Sequence, residues 1–190
     1  MKSRKIAIII AITVPVVFAV VASAGVYARF YVVNFHRIPQ EGMYPGLPAG
    51  SLFFSRRNPY PSPSSVQRGD VVLFTKTMDG ELYKIVWRVI GLPGDQIVID
   101  GEKLLINGVA PKRERLRQDG DLVIYRETSG NVSYEVAYPQ EADDKDQPKA
   151  SLTVPKDSFY VLGDNRFNAL DSRFDGPISF DSIFGKKIGN

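Results

Sequence analysis

From Ile6 to Ala28 the chain carries no charged residue and is dominated by isoleucine, valine, alanine and phenylalanine. That is about the 20 consecutive apolar residues a helix needs to cross a bilayer. The pattern predicts a transmembrane anchor over 6–28, preceded by a short tail at 1–5. Pro15 lies inside the run, where a spanning helix tolerates it. Phe30-Tyr31-Val32-Val33 follows, an aromatic group of the kind that settles at the membrane–water interface. Ala22-Ser23-Ala24 opens an alternative, because cleavable signal peptides end in such small residues. The apolar stretch nevertheless continues through Gly25, Val26, Tyr27 and Ala28, which favours a retained anchor.

Beyond Pro39 the pattern turns to short β-rich runs separated by turn residues, with no long amphipathic helix, and predicts a mainly β (all-β) domain over 29–190. Val71-Val72-Leu73-Phe74 and Ile85 to Ile90 read as buried strands. Gln96-Ile97-Val98-Ile99 and Lys103-Leu104-Leu105-Ile106 flank Asp100-Gly101, a hairpin signal to which the extra Glu102 adds a bulge. Leu122 to Arg126 and Val132 to Ala137 alternate well enough for another hairpin across Ser129-Gly130-Asn131, part of an elaborating ribbon at about 111–150. Ser158 to Leu162 is a last strong strand. Asn58 to Ser65, rich in proline and serine, predicts an extended loop. Lys112 to Arg117 and Glu141 to Lys149, dense in charge, predict solvated loops.

Composition narrows the chemistry. The 190 residues suit one well-buried domain plus an appendage, and 44% hydrophobic residues exclude wholesale disorder. There is no cysteine and a single histidine, His36, so neither a disulfide framework nor a zinc site is expected, and no cofactor is implied. The net charge of +3 misleads, because Lys2, Arg4, Lys5 and Arg29 all precede residue 30. The remainder is close to neutral, which gives nucleic-acid binding no support. The charges around the apolar run place the N-terminus in the cytoplasm and the rest outside, by a small margin.

Four clusters then appear in order: Gly42-Met43-Tyr44-Pro45; Arg68-Gly69-Asp70-Val71-Val72; Arg88-Val89-Ile90-Gly91-Leu92-Pro93-Gly94-Asp95; and Gly163-Asp164-Asn165-Arg166 continued by Asp171-Ser172-Arg173. Together they resemble the type I signal peptidases, membrane-anchored serine endopeptidases with a Ser/Lys dyad, from the anchor to about residue 185. The resemblance implies a signal-peptidase-like β-fold with one N-terminal transmembrane helix. It also implies a single-pass bacterial inner-membrane protein whose β domain faces the periplasm or the exterior, the ribbon being closer to Gram-negative members.

The departures from that family fall on chemical positions. Gly42 stands where the resemblance implies the nucleophilic serine, and Trp87 where it implies the lysine base. Ala169 stands where a serine orients the lysine, and Gln40 where a hydroxyl contributes to the oxyanion hole. Glycine has no side chain, and an indole offers only an N–H donor where a buried lysine would accept a proton. The positions that read as structural remain: Met43, Pro45, Arg88, Gly91, Gly94, Asp95, Gly163, Asp164, Asn165, Arg166, Asp171, Ser172 and Arg173. Among them Asp164, Arg166, Asp171 and Arg173 are expected to form an ion network.

The expectation is a catalytically inactive relative that binds extended segments of exported or surface-assembled proteins, or partners an active signal peptidase, in the bilayer and without nucleic acid. The rivals are an active peptidase with a rearranged nucleophile and a structural relic with no binding role. For the first rival, Lys84 points to the opposite strand face from Trp87, Ser51 and Ser55 lie beyond Pro45 and Pro48, and His36 is expected to face water or lipid headgroups.

Overall fold

The apolar run at the N-terminus folds as one helix, α1 (Lys2–Tyr27), 26 residues long and continuous through Pro15. The computed structural model describes residues 2–27, 32–141 and 147–189, with the side chains of α1 from Thr13 onward. The side chains of Lys2, Arg4 and Lys5, the residues Arg29, Phe30 and Tyr31, and residues 142–146 of the Glu141–Lys149 stretch lie outside the described residues. Among the described residues no helix is long and apolar enough to cross a membrane. The apolar side chains at 6–12 stand outside that statement. The chain divides into two compact units, Met1–Asn34 and Phe35–Asn190.

The second unit is built from strands. A seven-stranded sheet runs in the order β1 (Val33–Arg37), β2 (Leu52–Arg57), β13 (Ile183–Lys187), β3 (Val71–Met78), β4 (Glu81–Gly91), β11 (Ser158–Leu162), β12 (Ile178–Ser179). A second sheet has the order β10 (Ala150–Thr153), β5 (Gln96–Asp100), β6 (Lys103–Ile106), and a third β7 (Lys112–Asp119), β8 (Leu122–Ser129), β9 (Val132–Pro139). The mainly β expectation holds, and so does the hairpin at Asp100-Gly101, where Asp100 pairs with Lys103 and Gly101 takes φ +59°, but Glu102 completes a two-residue turn and adds no bulge. Asn58 to Ser65 is largely irregular but closes with a short 3₁₀ turn at Pro63–Ser65.

The charge-dense Lys112–Arg117 stretch is a strand rather than the expected solvated loop. Its charges have cross-strand partners: Glu114 is opposite Arg126, and Arg113 is opposite Glu127. A strand with one face open to water tolerates such residues, since only alternate positions need burial. The strand at Ile85 to Ile90 is longer than expected, and its Ile85 and Val86 are only half-buried.

Two apolar clusters hold the unit together. One gathers Met43, Leu47, Phe53, Val72, Phe74, Trp87, Val89, Phe159 and Ala169. The other gathers Ile90, Ile97, Ile106, Val136, Tyr160 and Leu162. The first contains the residues on which function turns.

Candidate active site

The loop after β1 brings Gly42 to the middle of the fold. Ile38 is buried and anchors the loop by donating its N–H to the Ser51 carbonyl at 3.0 Å. Met43 is 2% exposed, and its carbonyl accepts the Leu47 N–H at 2.8 Å across a turn containing a cis Tyr44–Pro45 peptide. Gly42 is buried, and its carbonyl accepts the Asn165 N–H at 3.1 Å, which ties the loop to the segment after β11. Gln40 is exposed.

Trp87 lies opposite Val72 in the β3–β4 ladder, and strand alternation turns it to the same face as Ile85 and Val89. It is 3% exposed. A Cβ added at Gly42 would lie 2.5 Å from Cη2 and 2.7 Å from Cζ3 of Trp87, and 3.2 Å from the Asn168 carbonyl oxygen. No side chain fits at Gly42 while the indole keeps this place. Gly163 is bound by the same geometry: a Cβ there would strike the Ala169 methyl, lie 2.6 Å from the Gly42 carbonyl oxygen and 3.0 Å from Cζ3 of Trp87. Gly42, Gly163 and Ala169 are thus the small residues that make room for one large ring. The space is packed, as protein interiors are.

Other candidate nucleophiles are placed elsewhere. Ser55 and His36 form a hydrogen bond of 2.8 Å, the length expected of a nucleophile and its base. Ser55, however, is fully buried, and Gly185 of β13 packs against its Oγ. His36 does not face water or headgroups as expected. It is half-buried, its ring stacks on Phe53 with centroids 5.2 Å apart, and burial followed by the nearby Lys84 charge holds its pKa below the usual histidine value. Lys84 projects over the Phe184 ring, 5.9 Å from its centroid. Ser172 is buried and accepts the Val161 N–H at 3.0 Å. The hydroxyl of Ser51 is buried.

The motif charges form separate pairs rather than one network. Asp164 is bound by Arg88, with Nε to Oδ1 at 2.7 Å and Nη2 to Oδ2 at 2.5 Å, and Arg88 Nη1 also donates to the Gly69 carbonyl. Arg166 is bound by Glu127 of β8, Nη1 to Oε1 at 2.9 Å with a second contact from Nη2. Asp171 caps α2 (Ser172–Asp175), pairs with Arg173 through Nε at 2.8 Å and Nη2 at 2.9 Å, and accepts the Gly163 N–H at 2.9 Å. Asp95 takes Arg68 at 2.9 Å and the Leu92 N–H at 2.6 Å. Gly94 has φ +87°, the left-handed turn conformation its position requires. Gly91 sits within β4, where a Cβ would press on Tyr160, so its role is packing and not a turn.

Sequence reasoning missed Glu127, since the alternation that marks β8 gives no sign of a buried charge. It also missed Tyr44, whose hydroxyl bonds Asp119 and straps the Gly42 loop to the end of β7.

One further feature lies next to Trp87. β4 pairs with β3 from Glu81 to Arg88, but on its other side it meets β11 only from Arg88 to Gly91. Val89 turns both backbone groups toward β3, with N–H to Asp70 and C=O to Gly69. Alternation therefore turns those of Leu82, Lys84 and Val86 to the other side, along an edge unpaired among the described residues.

The family model described as "Signal peptidase, peptidase S26" matches residues 7–188. The chain belongs to the signal peptidase family of S26 peptidases. It is similar to signal peptidase I of Leptolyngbya laminosa, 29% identical over 90% of this chain and 73% of that one. It is likewise similar to signal peptidase IB of Staphylococcus aureus, 29% identical over 92% of this chain and 84% of that one. A crystal structure of a signal peptidase I from Enterococcus faecalis is 30% identical and covers 63% of this chain and 93% of that one, with a TM-score of 0.38. Membership of the signal peptidase family implies interaction with the signal segments of exported preproteins.

Proposed function

We propose that this signal peptidase family member no longer hydrolyses peptides and instead binds extended segments of exported or surface-assembled proteins. The observation that carries the reading is the indole of Trp87, which fills the space into which a side chain at residue 42 would project. Catalysis of the family's kind needs a nucleophile within hydrogen-bond reach of a base. Here glycine and a buried indole hold those positions, with Ala169 at the base-orienting one and Gln40 at the oxyanion one. Binding has a separate basis. An unpaired strand edge recognises extended chains through backbone hydrogen bonds, and the outward groups of Leu82, Lys84 and Val86 supply one beside the filled site.

The same reading places residues 6–28 in the bacterial inner membrane and the β domain outside, in keeping with the apolar run and the family. An active signal peptidase in the same membrane is a second candidate partner.

The test uses the full chain in detergent. Incubated with a preprotein bearing a small-residue cleavage site, it is expected to yield no product. With a photo-crosslinker at position 84 it is expected to capture extended segments of exported proteins. Specific cleavage by freshly purified protein would overturn the loss of hydrolysis, and absence of any capture in membranes would overturn the binding role.

A further inference from the structure

Two of the contacts between the ribbon β7–β8–β9 and the rest of the unit lie along the outer edge of β9. At one, Val132 lies so close to Gly69 that a Cβ there would collide with it. At the other, Ala137 donates its N–H to the Asp164 carbonyl at 2.9 Å and accepts the Arg166 N–H at 3.0 Å. Both backbone groups of Ala137 therefore point away from β8. The β8–β9 register runs without a shift from Leu122↔Pro139 to Ser129↔Val132. Alternation then turns the N–H and C=O of Ser133 and Glu135 outward as well.

Between the two contact points lies a cleft of about 570 Å³, within the range of ligand sites. Ser133, Tyr134 and Glu135 form one wall, and Asp70, Lys186 and Lys187 belong to the other. Most charges around it are matched. Arg88 holds Asp164, Lys186 pairs with Asp70 at 2.6 Å, and Glu135 pairs with Arg117 at 2.8 Å. Lys187 is the exception. Its ammonium donates to the Gly189 carbonyl at 2.8 Å, and among the described residues no carboxylate lies within ion-pair distance of it. Burial, followed by repulsion from Arg88, pulls its pKa below the usual lysine value against the attraction of Asp164, which is itself held by Arg88. A strand edge and a lysine with no ion pair among the described residues face one cleft.

We propose that this cleft binds an extended acidic segment of another protein, added as a strand to β9 with a carboxylate on the Lys187 ammonium. The backbone groups of Ser133 and Glu135 supply the strand hydrogen bonds, and Lys187 selects the charge. The cleft lies on a different strand edge from that of β4, and the inference does not depend on the loss of hydrolysis at Gly42.

The test measures fluorescence anisotropy of a short labelled peptide of alternating valine and threonine with one central glutamate, against its glutamine counterpart, on the full chain in detergent. The glutamate peptide is expected to bind about tenfold more tightly. Lys187→Met abolishes that preference and Lys187→Arg keeps it. Ser133→Pro removes an outward N–H while sparing the β8 ladder, and weakens both peptides. Equal binding of the two peptides by the unaltered protein overturns the proposal without any variant. So does a preference that survives Lys187→Met, binding indifferent to Ser133→Pro, or self-association that the peptide displaces, which would make the occupant a second copy of this chain.

Discussion

At the scale of single residues, Gly42 and Trp87 explain each other. The glycine is required because the ring is there, and the ring can be there because residues 42, 163 and 169 are small. Gly42→Ser alone is therefore expected to cost stability as well as to give no hydrolysis, about 1–3 kcal/mol of overpacking. Trp87→Lys alone removes a buried ring, at about 3–5 kcal/mol, and leaves an ammonium in an apolar site. Combined, the two changes relieve each other, and the double variant should be more stable than additivity predicts by about 0.5–3 kcal/mol. Urea unfolding of the four proteins checks this, and strict additivity would falsify the packing account. Catalytic groups act as a unit, so only the triple change with Ala169→Ser is a fair trial of activity.

The same ring is a built-in probe, because Trp87 is the sole tryptophan of the chain and 3% exposed. Its fluorescence is expected to resist quenching by acrylamide, with or without a bound segment. Quenching comparable to that of free indole would mean that the ring leaves its place and opens a groove above Gly42.

At the scale of elements, the test of the proposed β4 edge is a proline. At Lys84 the N–H points away from β3, so Lys84→Pro removes a docking donor without deleting a β3–β4 ladder bond. Capture of extended segments should fall several-fold while the far-ultraviolet circular dichroism stays that of the unaltered protein. Undiminished capture would move the binding site off this edge. The elements themselves were legible to unequal degrees. The hairpin at Asp100-Gly101 declared itself because its turn chemistry is local. β7 did not, because its charges look like those of a loop until β8 supplies partners for Glu114 and Arg113. Likewise the motif residues marked the site, but the sequence, which suggested one ion network, gave no sign of what holds Asp164 and Arg166. Their true partners, Arg88 and Glu127, come from other strands, 76 and 39 positions away in the chain. Neighbours along the chain are a poor guide to ion pairs that join separate elements.

At the scale of the whole second unit, Glu127 is the charged residue through which the ribbon holds the segment after β11, beside the backbone bonds of Ala137. It is 1% exposed and meets Arg166 from that segment and Arg113 from β7, with the Tyr138 hydroxyl beside both. Burial pushes its carboxyl up, but Arg166 and Arg113 outweigh burial, and the net effect holds it below the usual glutamate value. A carboxylate lowered on folding stabilises the fold above its unfolded pKa, about 4.3, and that stability drains away as pH falls through the folded value. Glu127→Gln strands the buried Arg166 guanidinium and takes one carboxylate from the half-buried Arg113, and at neutral pH the loss should be about 3–5 kcal/mol. Glutamine does not titrate, whereas Glu127 once protonated resembles it. The gap in urea midpoint between the two proteins is therefore expected to be widest at pH 7, unchanged down to about pH 5, and narrower at each step below about pH 4. Other carboxylates titrate in both proteins and cancel in the difference. A gap that stays constant down to acid would show that the glutamate holds the ribbon by shape and hydrogen bonding alone, with no part played by its charge.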